Sequence, residues 1–100
     1  METVTIELGD GASITVYKPL LHKTMRDLQT YQKPFIKDGK VDETQIDDEK
    51  VSNIFIKNQG VSWSFGEIRD ISEVPMTQQQ YEILGTELTR LYKPTPLVKN

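Results

Sequence analysis

Apolar residues first alternate with polar ones and later recur every three or four positions. Val4, Ile6 and Leu8 are interleaved with Thr and Glu, and Ala12, Ile14 and Val16 with Ser, Thr and Tyr. Period-two alternation of this kind marks strands with one buried face. The "GDG" between them, Gly9 to Gly11, predicts a hairpin whose register is open to argument. A two-residue loop at Asp10-Gly11 sets Ile6 across from Thr15 and mixes the faces. A three-residue loop sets Leu8 across from Ala12, Ile6 from Ile14 and Val4 from Val16. Directly opposed residues share a face, so the second register is expected, with Gly11 in a left-handed bulge position.

The spacing then lengthens. Leu21, Met25 and Leu28 fall at i, i+4 and i+7, with Leu20 and Tyr31 widening the stripe, and Pro19 suits a first helical turn. A helix over residues 20–32 is predicted, closed by Pro34. Val51, Ile54 and Phe55 share a face of a second helix over 48–59. Asp47 supplies its N-cap, Ile46 and Val51 a hydrophobic staple, and Gly60 its stop. The stretch "GVSWSFGEIRDIS" is two-sided. Val61, Trp63 and Phe65 alternate like a strand, while Ser64 and Glu67 form a capping box ahead of Ile68 and Ile71. We favour a short helix over 65–71. The last helix, 78–92, is capped by Thr77 with Gln80 three residues on, and Met76 can staple onto Tyr81. Its apolar seam is Tyr81, Leu84, Leu88 and Leu91. Residues 94–100 are expected to form a loose tail after a single domain spanning 1–93. The expected fold class is α+β: an N-terminal β-hairpin followed by three to four α-helices.

Between the first two helices the chain turns acidic, with six carboxylates and one lysine from Asp38 to Glu49. A calcium loop placed there would have Lys40 at its third position and Glu43 where glycine is required, so the loop chemistry fails. The run reads as a solvated connection.

One hundred residues suffice for one small domain with a thin core, which oligomerisation would supplement. The formal net charge of −3, with scattered lysines and arginines, gives no broad electrostatic grip on nucleic acid. The chain has no cysteine and a single histidine, His22, at the edge of an apolar stripe. Thiol nucleophiles are thereby excluded, and the usual zinc ligand sets cannot be completed. No apolar run nears the ~20 residues that span a bilayer, and "METVTIEL" has neither the basic nor the apolar region of a signal peptide. No serine sits in a nucleophile-elbow context, and "GDG" lacks the glycines and lysine of a phosphate loop. The expectation is a cytoplasmic, non-catalytic protein with no cofactor and no metal.

Two features suit a partner as well as a core. Trp63 and Phe65 are large aromatics beside a glycine, and Trp is over-represented among interface anchors. Gly85 lies inside the last seam, where glycine costs roughly 1 kcal/mol relative to alanine. Such a position often admits a close neighbouring backbone, either the first helix or a helix of another chain.

In order, the pieces resemble the small tail assembly chaperones of long-tailed bacteriophages. "VTIELGDGASITVYKPLLHKTMRDLQ" is similar to the family's opening, a hairpin with a D-G turn leading into a helix with an R-D-L-like step, here Arg26-Asp27-Leu28. "SFGEIRDISEVPMTQQQYEILGTELTRLY" is similar to its close, a short acidic helix, a proline junction and a last amphipathic helix. The Trp63–Phe65 pair and the placement of the acidic connection depart from that pattern. The resemblance implies a non-catalytic factor of the host cytoplasm that binds the tape measure protein and assists tail tube assembly. Tyr81, Leu84, Leu88 and Leu91, then Trp63 and Phe65, are the candidate partner-binding residues. Alternatives are a small acidic phage-encoded inhibitor of a host protein and a structural tail component.

Overall fold

The structure is a computed structural model that describes residues 1–92, so the tail expected at 94–100 lies outside the described residues. It is a small α+β domain. Strands β1 (Thr3–Gly9) and β2 (Ala12–Tyr17) form the N-terminal hairpin. Helix α1 (His22–Gln32), a two-rung hairpin of β3 (Ile36–Lys37) and β4 (Lys40–Val41), and helix α2 (Asp48–Gln59) follow. Strand β5 (Gly60–Trp63) then leads through a single 3₁₀ turn (Ile71–Glu73) into helix α3 (Gln78–Tyr92). The main sheet is antiparallel, in the order β1-β2-β5.

The hairpin register is the expected one for Val4–Val16 and Ile6–Ile14. Its tip is not. Gly9, rather than Leu8, faces Ala12, and the register shifts between Glu7 and Gly9. Asp10 and Gly11 both have positive φ (53° and 79°), the signature of a two-residue mirror-image turn. The extra residue is absorbed as a bulge in β1, which keeps both apolar pairs in register and leaves Leu8 fully buried.

Ile6, Leu8, Ala12, Ile14 and Val16 provide the sheet side of the core, and Leu28, Phe55, Ile56, Leu84, Leu88 and Tyr92 the helix side. Helix α3 packs on β1, and α1 packs on α2. Helix α1 begins two residues later than predicted, because Leu21 is extended (φ −79°, ψ 146°) and its N–H donates to Gln59 Oε1 at 3.0 Å. Pro19 therefore precedes the helix. The N-terminus of α2 matches its prediction: the Asp47 carboxylate accepts from the N–H groups of Glu49 and Lys50 at 2.9 and 3.4 Å. Helix α3 opens on a reciprocal capping box, Gln80 N–H to Thr77 Oγ1 at 3.1 Å and Thr77 N–H to Gln80 Oε1 at 3.0 Å.

The short helix predicted over 65–71 is absent. Gly66 has φ +96° and bridges back to Trp63, which no helical turn permits. Trp63 Nε1–H donates to Glu67 O at 2.9 Å, and Arg69 Nη1 donates to Phe65 O and Glu67 O at 3.0 Å. Side chains thus satisfy carbonyls that a helix would have bonded internally, and a strand forms over Gly60–Trp63, which buries Trp63 but leaves Val61 exposed.

Candidate functional site

Helices α2 and α3 do not close on each other along their whole length. Asp48, Val51, Ser52 and Phe55 recur at i, i+3, i+4 and i+7 on α2, and Tyr81, Glu82, Gly85, Thr86, Leu88 and Thr89 face them from α3. Between the two rows lies an open groove of about 570 Å³. Gly85 is among its lining residues. A Cβ built there would meet no atom of the described residues within 4 Å, so the first helix does not approach it.

One end of the groove is closed by packing. Phe55 stacks on Tyr92 with ring centroids 5.4 Å apart, and the Tyr92 hydroxyl donates to Tyr17 O. Burial pushes the Tyr92 phenol above its usual range. The other end is acidic. The Tyr81 phenol is raised first by partial burial and then by the negative charges of Asp48, Glu49 and Asp47, with the Ser52 hydroxyl acting the opposite way. Burial and the carboxylates disfavour the phenolate and together outweigh the Ser52 hydroxyl, so Tyr81 presents a neutral hydroxyl and an apolar ring.

The six candidate residues separate into different places. Leu84 is fully buried and Leu88 is 3% exposed, so the middle of the α3 seam belongs to this chain's own core. Leu88 also contributes to the groove wall, as does half-buried Tyr81. Leu91 is half-buried and lies outside the groove. Trp63 is buried at the end of β5, with half-buried Phe65 edge-on against it at 5.3 Å. The aromatic pair and the α3 seam therefore do not form one surface.

Sequence reasoning isolated Gly85 and the Val51–Phe55 face but did not join them. The missing signal was available in part: small Ser52, Gly85, Thr86 and Thr89 at helical spacing leave room between two helices. It also missed the polar junction at the C-terminal end of α2. There, fully buried Gln59 accepts from Leu21 N–H and Thr24 Oγ1–H and donates to Tyr17 O and Pro19 O at 3.2 and 2.9 Å.

No group of three or more His, Cys, Asp or Glu side chains placed to hold a metal ion occurs among the described residues. No helix among them is long and apolar enough to cross a membrane. His22 is exposed. The chain matches no protein-family model, no curated protein and no solved structure.

Proposed function

We propose that this chain is a non-catalytic assembly chaperone, similar in role to the tail assembly chaperones of long-tailed bacteriophages. In this reading it works in the host cytoplasm, covers apolar stripes of the helical tape measure protein, and assists the tail tube subunits that assemble around it. The observation that carries the reading is the groove between α2 and α3, with Gly85 in its lining and no atom of the described residues within 4 Å of where a Cβ would stand there. A helix-lined trough with an apolar wall can cover an exposed helix stripe and release it again. Phe55 and Leu88 supply that wall, and Tyr81 adds an amphipathic edge.

The test is co-production with a tape measure protein. The chaperone reading requires the tape measure protein to stay in solution only when this chain is present, and to elute with it as a complex of defined mass by light scattering. Purified particles should then lack the chain, whereas its presence in them would identify a structural tail component. The exposed acidic residues Asp47, Asp48 and Glu49 favour one further reading, an inhibitor that docks on a basic host surface. Binding to a host protein without any effect on the tape measure protein would select that reading.

A further inference from the structure

The charge around the groove bears on the chemistry of its occupant. Asp47, Asp48 and Glu49 stand at the start of α2, and Glu82 joins them from α3. None of the four enters an ion pair among the described residues. Asp47 caps backbone N–H groups, and Glu82 accepts from Gln78 Nε2 at 3.2 Å. Lys50 is the cation within this part of α2. Four carboxylates against one ammonium leave a local charge of −3 beside an apolar trough. Farther along α2, Lys57 pairs with Asp70, and on α3 Arg90 pairs with Glu87.

We propose that the groove receives an α-helix from another protein whose apolar ridge is flanked by lysine or arginine. The proposal rests on the reading of the groove as a protein-binding surface and names the partner's chemistry. The lining runs from 48 to 55 on α2 and from 81 to 89 on α3. That is roughly 10–12 Å along each helix at the ordinary rise, the length of two turns. A helix offers apolar anchors at i, i+3, i+4 and i+7 over the same distance. Gly85 lets that ridge approach closely, because no atom of the described residues occupies the space a Cβ would fill there. An extended strand would find no ladder here, since the N–H and C=O groups in mid-helix are already bonded within α2 and α3. A second copy docking groove to groove would bring Asp48 and Glu82 against their own kind, and nucleic acid carries the wrong sign.

The full-length chain should be titrated, by fluorescence anisotropy, with two designed helical peptides. Both carry leucines at i, i+3, i+4 and i+7; one is flanked by lysines and the other by glutamates. The lysine peptide is expected to bind at least about tenfold more tightly at low salt, with the gap shrinking as salt rises. Gly85→Leu should abolish binding while circular dichroism stays unchanged. The doubly reversed variant Asp48→Lys with Glu82→Lys should invert the preference between peptides, which keeps the test independent of how Gly85→Leu folds. Equal binding of the two peptides, or binding of neither, overturns the proposal. So does undiminished binding to a folded Gly85→Leu chain. Self-association lost in Gly85→Leu without peptide would make a second copy the occupant and also overturn it. A tape measure protein kept in solution equally well by the charge-reversed chain would leave the chaperone reading standing and remove this partner chemistry alone.

Discussion

The two flanks of α2 are built on opposite terms. Toward α1 and the end of β2, Gln59 is fully buried and bonded on both sides of its amide, so the space is filled and each polar group it reaches is met. Toward α3, the helices part around Gly85 and leave an open groove. The first flank holds the fold together. The second costs stability, because a helical glycine without a close neighbour gives up about 1 kcal/mol for nothing inside the chain.

The sharpest way to break the contrast is at the filled flank. Gln59→Leu keeps the side-chain size but leaves Leu21 N–H, Thr24 Oγ1–H and Pro19 O without their partner. Buried polar groups left unmet cost about 1–3 kcal/mol each, so a loss of about 3 kcal/mol is expected in urea unfolding. An unchanged midpoint would show that water or a shifted backbone replaces the amide, and the filled flank would lose its special standing.

This junction was the least legible part of the sequence, and the reason is physical. Gln59 bonds residues 35 to 42 positions away, and neither periodicity nor local spacing carries that information. Elements fixed by local chemistry were read well. The hairpin alternation placed Val4 across from Val16, and Thr77 with Gln80 marked the start of α3. Where tertiary bonds compete with local preference, the reading failed. The Ser64–Glu67 capping pattern lost to Gly66 at positive φ and to the carbonyl contacts of Trp63 and Arg69. The β3–β4 hairpin had a visible sign, Asp38-Gly39 at φ 53° and 77°, hidden within a stretch read as a solvated connection. At the candidate site the rows of α2 and α3 were each discernible, but that they leave a groove depends on how the helices dock.

Tyr92 lies between the two flanks and gives a second, smaller test through pH. Its hydroxyl donates to Tyr17 O, the same carbonyl that Gln59 Nε2 reaches. Burial raises its folded pKa above the unfolded value near 10, so the folded state holds this proton more tightly. The corresponding stability is fully present below about pH 10 and is lost as pH rises through the folded pKa. Tyr92→Phe should cost about 1 kcal/mol at neutral pH and make the alkaline decline in melting temperature shallower. Parallel alkaline curves for the two proteins would mean that this hydroxyl is not buried as described.

The smallest effect has the opposite sign and compares two glycines of the same region. Gly60, which ends α2, is crowded: a Cβ there would clash with Ile56 O and sit 3.1 Å from Ile68 Cδ1. Gly85 has free space and no positive φ. Gly60→Ala must therefore push backbone aside and lose stability. Gly85→Ala gains helix propensity without a clash and should raise stability by about 0.5–1 kcal/mol. If Gly85→Ala instead weakens the purified protein, something already occupies the groove in solution, and light scattering across concentration would show whether it is a second copy. If it strengthens the fold, the chain carries a removable defect in the groove proposed to receive a helix, as a position kept for binding rather than for stability would.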